Sequence, residues 1–278
     1  MKQITVNELW VFPVKGMQGV PVDSIEITDL GIVGDREFAV WEDGHLVDQK
    51  ADQWVASIGA EYEPITGVLT LSHPEHGEYT HQRRDDGETR RGTWVIDEFD
   101  VVDQGDEVAE WLSNVLGRAV RLVDAKEPWR INFPVPQMER LHGNPKIRFN
   151  AASPVSIANE ASLDDLNEHL DHRVPMDRFR MNVIIEGLDA FEEENLEQLA
   201  NSDIALSNVS TAERCIIITT DQNTGERPRN NLLRALRAEH MKPKEDRYGS
   251  GMKFGNYLTV TAAGFLAVGD TMLATFAN

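Results

Sequence analysis

The sequence predicts an α+β protein in which strands dominate. Three observations carry that reading. The first hundred residues break into short segments punctuated by glycine, helical periodicity first appears after Asp106, and a proline-rich passage precedes a second half that mixes both types. Residues 5–14 alternate apolar and polar side chains and read as the first strand. Residues 37–41 and 45–48 flank Asp43-Gly44, a two-residue hairpin signal. With 68–72 and 93–96 they suggest a small, mostly antiparallel sheet or barrel. From Asp106 onward, Val108, Trp111, Leu112, Val115 and Leu116 share one helical face, with Asp106 as N-cap and Gly117 as stop. Residues 118–123 return to strand. Pro128, Pro134, Pro136 and Pro145 disfavour regular structure over 126–145, and the chain divides into domains at 1–122 and 123–278. In the second half, Ser162-Leu-Asp-Asp165 resembles a capping box opening a helix that ends near Val174-Pro175. Strands are expected at 179–185, 204–209, 214–220, 257–261 and 272–276, with a helix at 231–238.

Composition narrows the function. The 278 residues are 41% hydrophobic, and 27 Lys+Arg against 47 Asp+Glu give a formal charge of −20. A chain of this length buries a core without disulfides. Cys215 is the only cysteine, which excludes an internal disulfide, a C-x-x-C zinc site and a thiolate-ligated iron–sulfur cluster. The acidic field repels phosphate backbones and anionic lipid, and no lysine-rich run opposes it, so neither nucleic acid nor membrane is an expected partner. The opening MKQITVNELW lacks the basic and apolar regions of a secretory signal. Apolar runs such as 183–185 and 216–218 fall far short of the ~20 residues of a membrane span. A cytoplasmic protein is expected.

A few segments carry chemistry. Cys215 stands at the head of the apolar strand expected at 214–220, directly after Arg214; a lone cysteine is most often a buried small hydrophobe, but an adjacent guanidinium favours the thiolate, the form that acts as nucleophile or soft metal ligand. On a strand over 179–185, Arg180 and Asn182 would share a face, a fork for phosphate beside an amide for a heterocycle. The alternative is a rim salt bridge. Lys15 and Arg36 follow turn-like Pro13-Val14 and Gly34-Asp35, and Ser153-Pro154 offers a hydroxyl; taken alone, each reads first as an ordinary turn. His73, His76 and His81 lie in a Pro/Gly-containing loop without matching carboxylates and read as solvated, and Gly249–Gly255 reads as a flexible loop or lid.

Taken together, Asn159–Asn167, Arg178-Phe-Arg-Met-Asn182, Arg214-Cys215, Thr219-Thr-Asp221, Thr224-Gly225 and Phe254-Gly-Asn-Tyr257, with weaker support from Pro13-Val-Lys15 and residues 31–36, resemble the MOSC family. The branch resembled carries an N-terminal MOSC barrel domain and includes the mitochondrial amidoxime-reducing component and YcbX-type proteins. The resemblance implies a β-rich fold, a MOSC-type β-barrel with peripheral helices plus an N-terminal barrel-like domain, binding molybdenum cofactor. It implies that Cys215 ligates molybdenum, that Arg180 and Ser153 hold the cofactor phosphate, that Asn182 meets the pterin, and that Lys15 and Arg36 reach it from the first domain. Arg214 would balance cofactor charge, and Tyr257 matches a position near it. Pyridoxal phosphate binding belongs to the same resemblance at family level. The implied activity is reduction of small N-hydroxylated or N-oxygenated compounds, with electrons from a separate flavin, haem or ferredoxin-type protein. Sulfur transfer through a Cys215 persulfide, or cofactor carriage without turnover, are the competing readings. The family's Lys-Ser and Thr-Ser pairs read Lys15-Gly16 and Ala152-Ser153 here, and its Arg-Pro-Asn reads Arg180-Met181-Asn182.

Overall fold

The computed structural model describes residues 1–94, 97–130, 146–242 and 251–277. Strand Lys2–Val11 pairs antiparallel with Val183–Glu186 on one side and Thr271–Phe276 on the other. Leu196–Ala200, Ala205–Glu213 and Gly251–Ala262 continue the order, and Val155–Asn159 closes it by pairing with both Gly251–Ala262 and Val183–Glu186. The result is a closed barrel of seven strands. Ile4, Val6 and Leu9 are buried in its core with Ile157, Ile185, Leu206 and Leu258. A register shift between Val6 and Glu8 lets Leu9, rather than Glu8, take the next inward position. The first strand, expected in an amino-terminal sheet, thus lies in this barrel. Alternation reveals a strand without naming its neighbours.

A second closed barrel is formed by Phe38–Glu42, His45–Val47, Thr89–Trp94, Asp97–Asp103 and Arg121–Ala125. Its hairpin over 38–47 forms as expected, with Asp43 at φ 46° and Gly44 at φ 87°, the left-handed pair that a tight turn of this hand requires. Helix Asp106–Leu116 buries Val108 and Leu112 against Phe38, Val40 and Leu122, and Gly117 ends it at φ 69°. Gly105 is the N-cap, so Asp106 is the first helical residue, where its charge favours the helix dipole. Strands Gly59–Glu63, Val68–His73 and Gly77–Gln82 form a meander that contributes Ala60, Leu69 and Leu71 to the same core. Of the span expected to lack structure, 131–145 lies outside the described residues, while Trp129–Arg130 pairs with Lys146–Ile147.

Four second-half expectations need correction. The helix is Glu160–Glu168 with Asn159 before it; Ser162 is buried inside and donates its hydroxyl to Glu193 (2.7 Å) instead of capping. It stops well before Val174, because the Asn167 side chain exchanges two hydrogen bonds with the Val174 backbone and turns the chain there. Residues 179–182 are not strand: Met176–Phe179 is a 3-10 turn, Arg180 is left-handed at φ 53°, and the strand starts at Val183. Likewise Ile216–Thr219 is a 3-10 turn, Thr219 donating to the Ile216 carbonyl (2.7 Å), after the strand Ala205–Glu213. Gly251–Gly255 opens the long strand Gly251–Ala262 and is no loop, whereas 249–250 lie outside the described residues. The late helix is Leu232–Glu239.

Candidate functional site

The two barrels share a cleft of about 260 Å³, and Lys15, Arg36, Ser153, Arg180, Asn182, Arg214, Cys215 and Tyr257 all line it. Lys15 and Arg36 come from the segment linking the first strand to the smaller barrel. The others come from the larger barrel: Ser153 before strand Val155–Asn159, Arg180 and Asn182 before Val183–Glu186, Arg214 and Cys215 after Ala205–Glu213, and Tyr257 within Gly251–Ala262. Cys215 is exposed, contrary to the buried-cysteine prior, because the chain leaves the barrel edge at Glu213 before the turn begins.

The cations around the cleft are held in different ways. Lys15 is buried and donates to the Phe149 carbonyl (2.9 Å); burial, with Arg36 and Arg180 adding and Asp48 opposing, pushes its amine down to about 8. Arg36 pairs with Asp35 (2.5 Å) and donates to the Arg180 carbonyl (3.0 Å). Arg180 donates to the Gln222 side-chain oxygen (2.8 Å), and its Nη2 is buried with no partner among the described residues. Burial and the neighbouring Arg36, with Asp35 and Asp177 opposing, push Arg180 down to about 9. Both guanidiniums lie over the Phe12 ring, 4.6 and 4.5 Å from its centroid.

Three of the lining residues spend side-chain hydrogen bonds on the protein itself. Asn182 donates to the Trp10 carbonyl (3.1 Å) and Asp35 (3.0 Å), and its oxygen accepts from Ser156 (2.8 Å) and Arg36 (3.3 Å). Ser153 spends its hydroxyl proton on the Leu258 carbonyl. Arg214 turns inward from Cys215: Nε and Nη2 donate to the Phe254 carbonyl (2.9 and 2.7 Å), and Nη1 to the Phe179 carbonyl (3.1 Å). Burial lowers its pKa, and none of these partners is an acid. Arg214 therefore braces the cleft through neutral carbonyl oxygens.

Five residues support the cleft in roles that the sequence did not assign to them. Arg178 binds Asp221 (2.8 Å) and the Thr219 carbonyl (3.1 Å), Asp35 organises Arg36, Asn150 and Asn182, and Gln49 joins Gln222 behind Arg180. Asp221 was legible as a turn former, since it accepts from the backbone of Asn223 and Thr224. Glutamines carry no comparable signal. Elsewhere, the His73 and His76 rings lie 5.1 Å apart on the meander and His81 is buried against Gln104, but no metal-ligating group of three converges among the described residues. No helix among them is long and apolar enough to cross a membrane.

Two fused barrels thus share a cleft lined by the cationic Lys15, Arg36, Arg180 and Arg214 and by the exposed thiol of Cys215. The chain belongs to the MOSC family: residues 3–119 match the MOSC N-terminal beta barrel domain and residues 142–273 the MOSC domain. It is 31% identical over 288 residues to mitochondrial amidoxime reducing component 2 of Rattus norvegicus and 30% over 276 residues to that of Bos taurus, in each case across 96% of this chain and 82% of the relative. Human mitochondrial amidoxime-reducing component 1 is 28% identical over 274 residues, covering 96% and 81%.

Proposed function

We propose that this protein is a molybdenum-cofactor oxidoreductase that reduces N-hydroxylated and related N-oxygenated compounds, taking electrons from a separate redox protein. The observation that carries the reading is the exposed Cys215 thiol on a cleft where Arg180 and Arg214 are held by neutral oxygens and, among the described residues, make no salt bridge. A phosphate-bearing cofactor with a thiophilic metal fits that donor set. The relatives named above are amidoxime-reducing components. When bound, the cofactor supplies two-electron oxygen-atom chemistry.

Cys215 would ligate the metal through its thiolate. Arg180, through the orphaned Nη2, and Lys15 would hold the phosphate. Arg36 sets the Arg180 backbone, and Asn182 fixes Asp35 and Arg36 rather than meeting the pterin itself. Reduction of an N–OH group consumes two electrons and two protons and releases water, and one cysteine leaves this chain no iron–sulfur cluster to deliver those electrons.

The test is molybdenum and pterin content of protein from a cofactor-producing host, followed by benzamidoxime reduction with a chemical electron donor. Near-stoichiometric metal and pterin, diminished in Arg180→Ala and with metal lost in Cys215→Ala, are expected. Folded protein with neither, whose Cys215 gains about 32 Da on exposure to a cysteine desulfurase, would overturn the reading in favour of sulfur carriage.

A further inference from the structure

The cleft treats its arginines unequally. Arg36 is matched by Asp35 and Arg178 by Asp221, whereas Arg180 is held by a neutral amide, with Nη2 buried and unpartnered among the described residues. That amide is itself fixed with unusual completeness. Gln222 Oε1 accepts from Arg180 (2.8 Å) and from Gln49 Nε2 (2.7 Å), while its Nε2 donates to Gln49 Oε1 (3.1 Å) and to the Thr220 carbonyl (3.0 Å). Gln49 Nε2 also donates to the Gly16 carbonyl (2.6 Å), next to Lys15. Both glutamines are buried.

Gln49 follows the last strand of the 38–47 hairpin and Gln222 sits in the turn after Ile216–Thr219, so the reciprocal amide pair fastens one barrel to the other. Further ties run alongside it. Arg227 donates to the Gln49 carbonyl, Gln18 donates to the Asn223 carbonyl (3.3 Å), and left-handed Gly225 sits so close to Trp54 that a Cβ there would meet its ring at 3.0 Å.

We propose that Gln222 is a positioning residue that aims Arg180 into the cleft without neutralising it, and that Gln49 sets the orientation of Gln222 from the opposite barrel. A carboxylate in place of Gln222 would hold the guanidinium equally well and cancel its charge; an amide holds it and leaves the charge for an incoming phosphate. The anion site is thereby conditional on the contact between barrels. The proposal rests on the preceding reading only in that a phosphate-bearing ligand enters this cleft.

The test uses metal-free full-length protein titrated calorimetrically with inorganic phosphate, comparing wild type with Gln222→Glu and Gln222→Met and following thermal unfolding of each. Gln222→Glu is expected to weaken phosphate binding at least tenfold and more than Gln222→Met does, although the carboxylate keeps the contact to Arg180. A role confined to packing or hydrogen bonding gives the reverse order, Glu binding as wild type and Met worse, and that result overturns the proposal. Should Gln222→Glu not fold, Gln49→Met carries the test: it is expected to weaken phosphate binding severalfold with the Arg180 side chain intact, and unchanged affinity refutes the coupling. Wild type that binds no phosphate refutes it too. Failure of the functional reading looks different, since protein that binds phosphate in this order yet never acquires molybdenum or pterin retains the positioning role and loses the cofactor.

Discussion

Lys15→Met should stabilise the metal-free protein at neutral pH while removing part of its anion site. Lys15 is 8% exposed, and burial lowers its pKa from 10.5 to about 8. That difference, 10.5 − 8, corresponds to about 3 kcal/mol at 1.36 kcal/mol per unit. The sign follows from proton counting. Between pH 8 and 10.5 the unfolded chain holds the lysine proton and the folded chain does not, so this residue's contribution to stability rises with pH across that window, and below pH 8 its full cost is present. Methionine removes that cost together with the hydrogen bond to the Phe149 carbonyl, worth about 1 kcal/mol. The variant should therefore be about 2 kcal/mol more stable than wild type at neutral pH and about 1 kcal/mol less stable above pH 10.5. Urea denaturation of both proteins at several pH values reads the difference directly, because other titrating groups cancel. Phosphate should narrow the gap at neutral pH by stabilising more strongly the protein that keeps its ammonium. A difference that stays flat from pH 7 to 11 would refute the claim that Lys15 is a charge held at a cost.

Three further outcomes are expected. Cys215→Ala should abolish molybdenum retention and turnover while shifting stability by no more than about 0.5 kcal/mol, since the thiol is exposed; a variant with full metal content removes Cys215 as ligand. Glu193 is fully buried, and burial pushes its carboxyl up to about 7, so the stability it contributes is complete below the ordinary carboxylate range and is lost as pH rises through 7. Glu193→Gln should flatten that dependence and raise the melting temperature at pH 8 relative to pH 5, and parallel melting profiles would contradict it. Gly255 sits at φ 70°, where a Cβ would lie 2.4 Å from the Ile157 carbonyl and 2.6 Å from the Met181 methyl. Gly255→Ala should cost about 2 kcal/mol or more by urea titration, because the methyl can move and the carbonyl cannot.

Features specified within a few residues were legible in the sequence, and those specified across the chain were not. Asp43-Gly44 names its own turn, and the 3.6-residue period ending at Gly117 names its own helix. The run after Cys215 shows the limit. Ile216-Ile-Ile has every local mark of a strand, yet it turns: Ile218 is drawn into the core beside Leu232 and Leu236, and the barrel strand that precedes it has already ended. Arg180 and Asn182 do meet at the cleft, but the expected strand alternation does not bring them there, because Arg180 occupies a left-handed turn and Asn182 is consumed by Trp10, Asp35 and Ser156. Gln49 and Gln222 lie 173 residues apart, are uncharged, and belong to no motif. Only the closing of the two barrels on one another gives them a role.

That closing also bears on the charge of −20, which is opposite in sign to what the proposed phosphate site needs at long range. The acidic exterior repels an approaching anion, whereas the partly desolvated Arg180, Arg214 and Lys15 attract it once it is inside. The two fields respond differently to salt. At 0.1 M ionic strength the Debye length is about 10 Å, enough to screen the exterior but not the buried cations. Phosphate association should therefore accelerate as salt rises from about 10 mM to about 150 mM, while dissociation changes little. An association rate that falls steadily over that range would mean the cleft's cations already dominate outside the protein, and the acidic surface would then need no place in the account of how the site fills.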